Sequence, residues 1–326
     1  MNLRERVRKW CKGRPSKALA QLDDWAVKLN KTQKRKEDFV SYSLAGIEWH
    51  ETNQILNNLI ASGAGLTLNP LSPGLEADVV KITQGDEHFV LKVWNKRSKP
   101  NVLRQYRLLE ALHLRGIRVS EPIAYGRTET GDGVLLTRYH GATVTKVSPS
   151  ILKEIASILA DIHRLPPDGF EDRALARFDF AEYFFSGIEA FPAMKEELIR
   201  LLACADMKME RVIHGDFNLG NILVENGQYT AIDWTNGQLG DPRYDLSWAC
   251  LLLRIYLSES KSLTFLYKYQ DEMPVTTGEL EIFEALACLR WLLLDRIAGV
   301  PKHADTMKKV RKIVRDNRFL NESVLL

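Results

Sequence analysis

The stretch His214-Gly215-Asp216-Phe217-Asn218-Leu219-Gly220-Asn221-Ile222-Leu223, with Ile232-Asp233-Trp234 shortly after it, decides how this chain is read. Ile222-Leu223-Val224-Glu225 and Gln228-Tyr229-Thr230-Ala231-Ile232 are strand-like runs, and Asn226-Gly227 between them is a strong hairpin signal because both turn positions need positive φ. Counting outward from that turn pairs Glu225 with Gln228, Val224 with Tyr229, Leu223 with Thr230, Ile222 with Ala231 and Asn221 with Ile232. Asn221 and Asp233 therefore meet at the open end of the hairpin. Asp216 lies five residues before Asn221, so a tight loop can present its carboxylate beside that pair.

An Asp followed five positions later by an Asn has the spacing of a kinase catalytic loop, where the Asp accepts the substrate hydroxyl proton and the Asn holds magnesium. Gly240-Asp241-Pro242-Arg243-Tyr244-Asp245-Leu246 follows in order. With these motifs the region resembles the aminoglycoside phosphotransferase and choline kinase family. That resemblance implies an α+β, bilobal protein-kinase-like fold, with a small β-rich N-lobe, a larger helical C-lobe and ATP between them. It implies Asp216 as the catalytic base, Asn221 and Asp233 as ligands of Mg2+, and His214 and Asp245 as supports of the catalytic loop. An Asx turn and a strand-capping Asn would account for any one of these residues; the ordered set weighs against that account.

Upstream, Ala77 to Ile82 and His88 to Trp94 alternate apolar and polar residues around a Gly85-Asp86 turn, as two strands would. The segment before them, Ser72-Pro73-Gly74-Leu75-Glu76-Ala77-Asp78, is the expected nucleotide loop, with Gly74 against the ATP phosphates; it has one glycine where protein kinases have three. Lys92 has apolar neighbours on both sides, so its strand is buried and an unpaired ammonium there is costly. The family reading places it on the α- and β-phosphates; an edge lysine reaching for solvent is the alternative. A helix is expected from Val102 to Arg115, stopped by Gly116. At about 100° per residue, Gln105 falls on its inward face among Leu108, Leu109 and Leu112, whereas Glu110 points away. Gln105 thus stands where kinases place the glutamate that pairs with the lysine. Leu135 to Gly141 resembles the adenine-binding linker, with ATP contacts expected from the backbone between Thr137 and Tyr139.

The domain reading that results is a basic, mostly helical N-terminal extension (1–68), an ATP-binding N-lobe and hinge (69–140), and a helical C-lobe with the catalytic loop and acceptor site (141–326). Apolar periodicity marks helices around 151–162, 246–257, 281–297 and 304–314. Residues 1–36 carry twelve Lys or Arg against Glu5, Asp23 and Asp24, which leaves the rest of the chain net acidic. Such an arm can meet nucleic acid or an anionic surface, but it lacks interleaved aromatics and any nucleic-acid motif, so a solvated helix face is the plainer account.

No run approaches the ~18 apolar residues of a membrane span, and the basic start is not followed by an apolar signal core. The four cysteines form no CxxC pair, and the histidines no HExxH, which fits a cytoplasmic protein without disulfide framework or transition-metal site. The function expected is ATP-dependent phosphorylation of a small-molecule hydroxyl, on an aminoglycoside-like, amino-sugar or choline-like acceptor. A protein kinase is the first alternative. Against it, Gly240 follows Asp233 by only seven positions, which leaves no activation segment, and no Ala-Pro-Glu follows. A catalytically inactive kinase-fold binding module is the second, and it has no need to keep Lys92, Asp216, Asn221 and Asp233 together.

Overall fold

The computed structural model describes residues 43–71, 77–95, 98–170 and 174–325. The basic arm, Cys11 and the loop glycine Gly74 lie outside the described residues. Among those described, no helix is long and apolar enough to cross a membrane.

Alternating patterning in the first part of the chain yields one antiparallel sheet. Its strands are β1 (Glu48–Trp49), β2 (Thr67–Pro70), β3 (Asp78–Gln84), β4 (Glu87–Trp94), β5 (Pro122–Arg127) and β6 (Gly133–Arg138), in the spatial order β1-β5-β6-β4-β3-β2. Period-two alternation splits β4 between two environments. Phe89, Leu91 and Val93 are fully buried on one face, with Val80 and Ile82 of β3 and with Leu56 and Leu59 of helix α1 (Gln54–Ser62). Each such Leu contributes about 1.5–3 kcal/mol of burial, which holds α1 to the sheet. Residues 44–62, which the sequence reading assigns to the extension, therefore supply an edge strand and a helix to the core of this sheet.

The opposite face of β4 carries Val90 and Lys92. Val79 of β3 and Leu135 of β6 flank Lys92, and Thr137 flanks Val90. Helix α2 (Val102–Leu114) covers part of this face, packing Val102, Tyr106 and Leu109 in one cluster with Trp94 and Leu135. Asn101 caps α2 by accepting the Arg104 N–H, and Gly116 at φ 76° follows its end.

The second part is helical: α3 (Pro149–Arg164), α4 (Phe180–Phe184), α5 (Pro192–Cys204), α6 (Pro242–Tyr256), α7 (Glu259–Glu272), α8 (Thr277–Ala298) and α9 (Thr306–Asp316). Helix α8 is apolar nearly all round and runs through the core, as such a composition requires. Among the helices lie β7 (Ala142–Thr143), β8 (Arg211–Ile213), β9 (Ile222–Glu225), β10 (Gln228–Ala231) and β11 (Gln238–Gly240). They form two small sheets, β10-β9-β7 and β11-β8. The loop from β8 to β9 holds Asp216, and the loop from β10 to β11 holds Asp233, so both carboxylates sit at the junction of these sheets. The architecture is the α+β kinase-like fold, an antiparallel sheet followed by a mostly helical part.

Candidate active site

The hairpin has the register counted from its turn: Gln228 opposite Glu225 through to Ala231 opposite Ile222. Asn226 and Gly227 adopt φ 50° and 79°. One step further, the Ile232 N–H donates to Asn221 O at 2.9 Å, which fixes Asn221 beside the start of the Asp233 loop. The Asn221 amide donates to Asp216 O at 2.9 Å and to Asp216 Oδ2 at 3.3 Å. Those bonds orient the amide and leave its carbonyl oxygen for another partner. Asp216 Oδ1 accepts the indole N–H of Trp248 at 2.9 Å, so the half-buried carboxylate is held from two sides.

Beneath the loop lies Asp245, fully buried on α6. Its Oδ2 accepts the His214 N–H at 2.7 Å and its Oδ1 the Gly215 N–H at 3.0 Å. His163 Nε2 donates to the same carboxylate at 3.2 Å, and its Nδ1 lies in hydrogen-bond contact with the Tyr269 hydroxyl at 2.7 Å. Burial alone would raise the Asp245 carboxyl. The His163 bond and the His214 contacts outweigh it and hold the group below the ordinary carboxylate range. His214 donates from Nε2 to Ile232 O at 2.9 Å and accepts the Asp216 N–H at Nδ1 at 3.3 Å, so both ring nitrogens serve the two loops. Gly215 sits at φ 77°, and a Cβ there would come within 2.7 Å of Asn236 O; only glycine fits between Asp245 and the Asp233 loop.

Asp233 itself takes left-handed angles, φ 66° and ψ 61°, a strain of about 1–3 kcal/mol that surrounding contacts must hold. Its Oδ1 accepts the Thr235 hydroxyl at 3.0 Å and lies 3.7 Å from Lys92 Nζ. Gln105 is buried and inward, but its amide reaches Thr235 Oγ1 at 3.4 Å; the ion pair of Lys92 is with Asp233. Thr137 lies opposite Val90 on the Lys92 face of the sheet. The Tyr139 N–H donates to His88 O at 3.0 Å and the Arg138 N–H to Glu121 O at 2.9 Å, so these two donors are committed to the sheet. The Tyr139 ring lies under Lys81, 4.1 Å from its Nζ.

Asp233 and the Asn221 carbonyl offer hard oxygen donors, which suit Mg2+ better than a soft transition metal. Among the described residues no cluster of three or more His, Cys, Asp or Glu could hold a metal. A two-donor site fits a cation whose remaining ligands are phosphate oxygens and water.

Sequence reasoning did not single out Trp248, Arg290, Thr235 or Arg104. Trp248 stands three residues after Asp245 on α6, and that helical spacing alone could have placed it beside the loop. Arg290 is buried on α8, donates to Gly215 O at 3.0 Å and to the Tyr244 hydroxyl at 2.9 Å, and lies over the Trp248 ring at 4.3 Å. Nothing in the apolar pattern around it announces that role.

A two-lobed fold whose Lys, Asp, Asn and Asp converge in this way defines a phosphotransferase of the kinase-like class. The chain belongs to the APH phosphotransferase enzyme family, whose profile matches residues 67–276. Among solved structures, choline kinase LicA from Streptococcus pneumoniae is 19% identical with a TM-score of 0.54, over 80% of this chain and 97% of that one. Aminoglycoside phosphotransferase APH(4)-Ia is 17% identical with a TM-score of 0.55, over 80% and 97%. Amicoumacin kinase hAmiN, solved with AMP-PNP, Ca2+ and Ami, is 15% identical with a TM-score of 0.58, over 84% and 98%. At these identities the likeness is one of fold. No curated protein sequence matches the chain significantly.

Proposed function

We propose that this protein transfers the γ-phosphoryl group of ATP to a hydroxyl of a small molecule, an amino-sugar-like or choline-like alcohol, with Mg2+ as the second cofactor. The observation that carries the reading is the Asp216 carboxylate, pinned by Trp248 and Asn221 beside the Lys92–Asp233 pair. Asp216 orients the acceptor hydroxyl and takes its proton as the oxygen attacks phosphorus. Lys92 neutralises phosphate charge from the sheet side. Asn221 and Asp233 would hold the cation, which when bound would neutralise charge on the phosphate oxygens. Preorganisation by Asp245, His163 and His214 keeps these groups in place without reorganisation during the reaction.

A small acceptor is favoured over a peptide because the Asp233 loop passes directly into β11, and α6 begins at Pro242. That leaves no activation segment for a peptide to dock on. The neighbours named for choline kinase, aminoglycoside phosphotransferase and amicoumacin kinase activity support the same class of acceptor. The decisive test is ATP consumption by the purified protein across amino sugars, aminocyclitols, choline-like alcohols and macrolides, with two variants alongside. Asp216→Asn is expected to lower turnover by about 100-fold or more while binding Mg-ATP normally. Asp233→Ala is expected to lose Mg-dependent ATP binding by calorimetry as well. Near-wild-type turnover in Asp216→Asn would refute the assignment.

A further inference from the structure

Helix α2 has no carboxylate on Lys92; it grips the Asp233 loop directly. Arg104 donates from Nη1 to Gly237 O at 2.7 Å and from Nη2 to Thr235 O at 2.8 Å. Gln105, next in sequence, donates to Thr235 Oγ1, and that hydroxyl donates to Asp233 Oδ1. From the other side, the Tyr183 hydroxyl donates to Asn236 Oδ1 at 3.0 Å, and its ring stacks on Phe178 at 4.6 Å. The Arg104 guanidinium lies 5.6 Å from that same Phe178 ring. Among the described residues no carboxylate forms an ion pair with Arg104. Burial lowers its pKa, the mark of a charge held at a desolvation cost. A guanidinium kept in such a place serves its fork geometry, here two backbone carbonyls two residues apart.

Arg104 and Gln105 belong to the small lobe, whereas Thr235 and Gly237 belong to the loop that ends in the large lobe. The clamp therefore crosses between lobes at the residue read as a metal ligand. Its last link is a hydroxyl that fixes one oxygen of Asp233 while the backbone there is strained. We propose that Arg104, acting with Gln105 and Thr235, is a positioning clamp that couples α2 to Asp233 in place of a lysine–glutamate pair and sets the divalent-cation requirement. The proposal rests on the reading of Asp233 as a Mg2+ ligand.

The test measures Mg2+-dependent ATP binding and phosphotransfer in the full chain for wild type, Arg104→Met, Arg104→Lys, Thr235→Val and Thr235→Ser. Partners that orient a metal ligand are typically worth roughly 10- to 100-fold in metal affinity. Arg104→Met and Thr235→Val are expected to raise the Mg2+ concentration for half-maximal activity by about tenfold or more, with the acceptor KM within twofold of wild type. Thr235→Ser keeps the hydroxyl and is expected to restore the wild-type Mg2+ requirement; Arg104→Lys, with no fork, is not. The clamp is overturned if Thr235→Val and Thr235→Ser share one Mg2+ dependence, or if acceptor KM and Mg2+ requirement rise together. A wild-type protein that binds ATP without any Mg2+ dependence would refute the functional reading itself, and the clamp with it.

Discussion

Replacing Asp245 with Asn tests the support beneath the loop that carries Asp216, because it changes charge at constant shape. In the native site the carboxylate accepts three hydrogen bonds, from His214 N–H, Gly215 N–H and His163 Nε2. An amide has one acceptor oxygen, so either orientation turns its NH2 group toward at least one buried donor. A buried donor left unsatisfied costs about 1–3 kcal/mol, and loss of charge assistance on the remaining bonds costs about 1 kcal/mol each. The sum is about 3–5 kcal/mol, a large part of the 5–15 kcal/mol typical of a folded protein but not all of it. Asp245→Asn should therefore fold and unfold at clearly lower urea. Its turnover should fall by at least about tenfold, since Gly215 and Asp216 lose their anchor and small misplacements at a reacting centre are costly.

The pH dependence gives the sign. The folded pKa of Asp245 is depressed, so its stabilisation is present above the unfolded value near 3.8 and is lost as pH falls through the folded value. The stability gap between wild type and Asp245→Asn should be full at pH 7 and narrow only below about pH 4. Urea unfolding at pH 7 and at pH 3.5, with a coupled ADP-release assay at pH 7, measures both parts. Equal unfolding midpoints at pH 7, together with unchanged turnover, would refute the anchoring role.

Two further substitutions probe neighbouring contacts. Trp248→Phe keeps the ring on Arg290 but removes the indole N–H that Asp216 Oδ1 accepts, so turnover should fall about tenfold with Mg-ATP affinity unchanged by calorimetry. Gly141→Ala, at φ 88° with its new Cβ 2.1 Å from Val224 O, should displace the hinge from β9 and lower the melting temperature by several degrees, read by differential scanning fluorimetry.

What was legible in the sequence was what depends on short separations. Asn226-Gly227 specifies its own positive φ values, and from that turn the pairing of ten residues follows by counting. The alternation in β4 likewise puts Lys92 on the face opposite Phe89, Leu91 and Val93. Helical phase correctly sends Gln105 inward. Phase gives a direction, however, and says nothing of which partner lies there. Lys92 extends to Asp233 while the Gln105 amide meets Thr235, 130 positions later in the chain.

The residues that escaped notice share that property of distant partners. Trp248 meets Asp216 across 32 positions, Arg290 meets Gly215 across 75, and Arg104 meets Gly237 across 133. Arg290 is the hardest of these, because it sits within an apolar helix whose pattern states only that the helix is buried. A cation in such a helix is too costly to be incidental, so its presence does signal a buried acceptor somewhere. Which acceptor is decided by packing: α8 packs against α6, and Tyr244 and Trp248 of α6 present a hydroxyl and a ring face to the guanidinium. Gly215 supplies the backbone carbonyl. Asp245, one residue after Tyr244, holds the other side of the same loop through the Gly215 N–H. The support of Asp216 is thus a single assembly drawn from α6 and α8, and its two halves become visible together only in three dimensions.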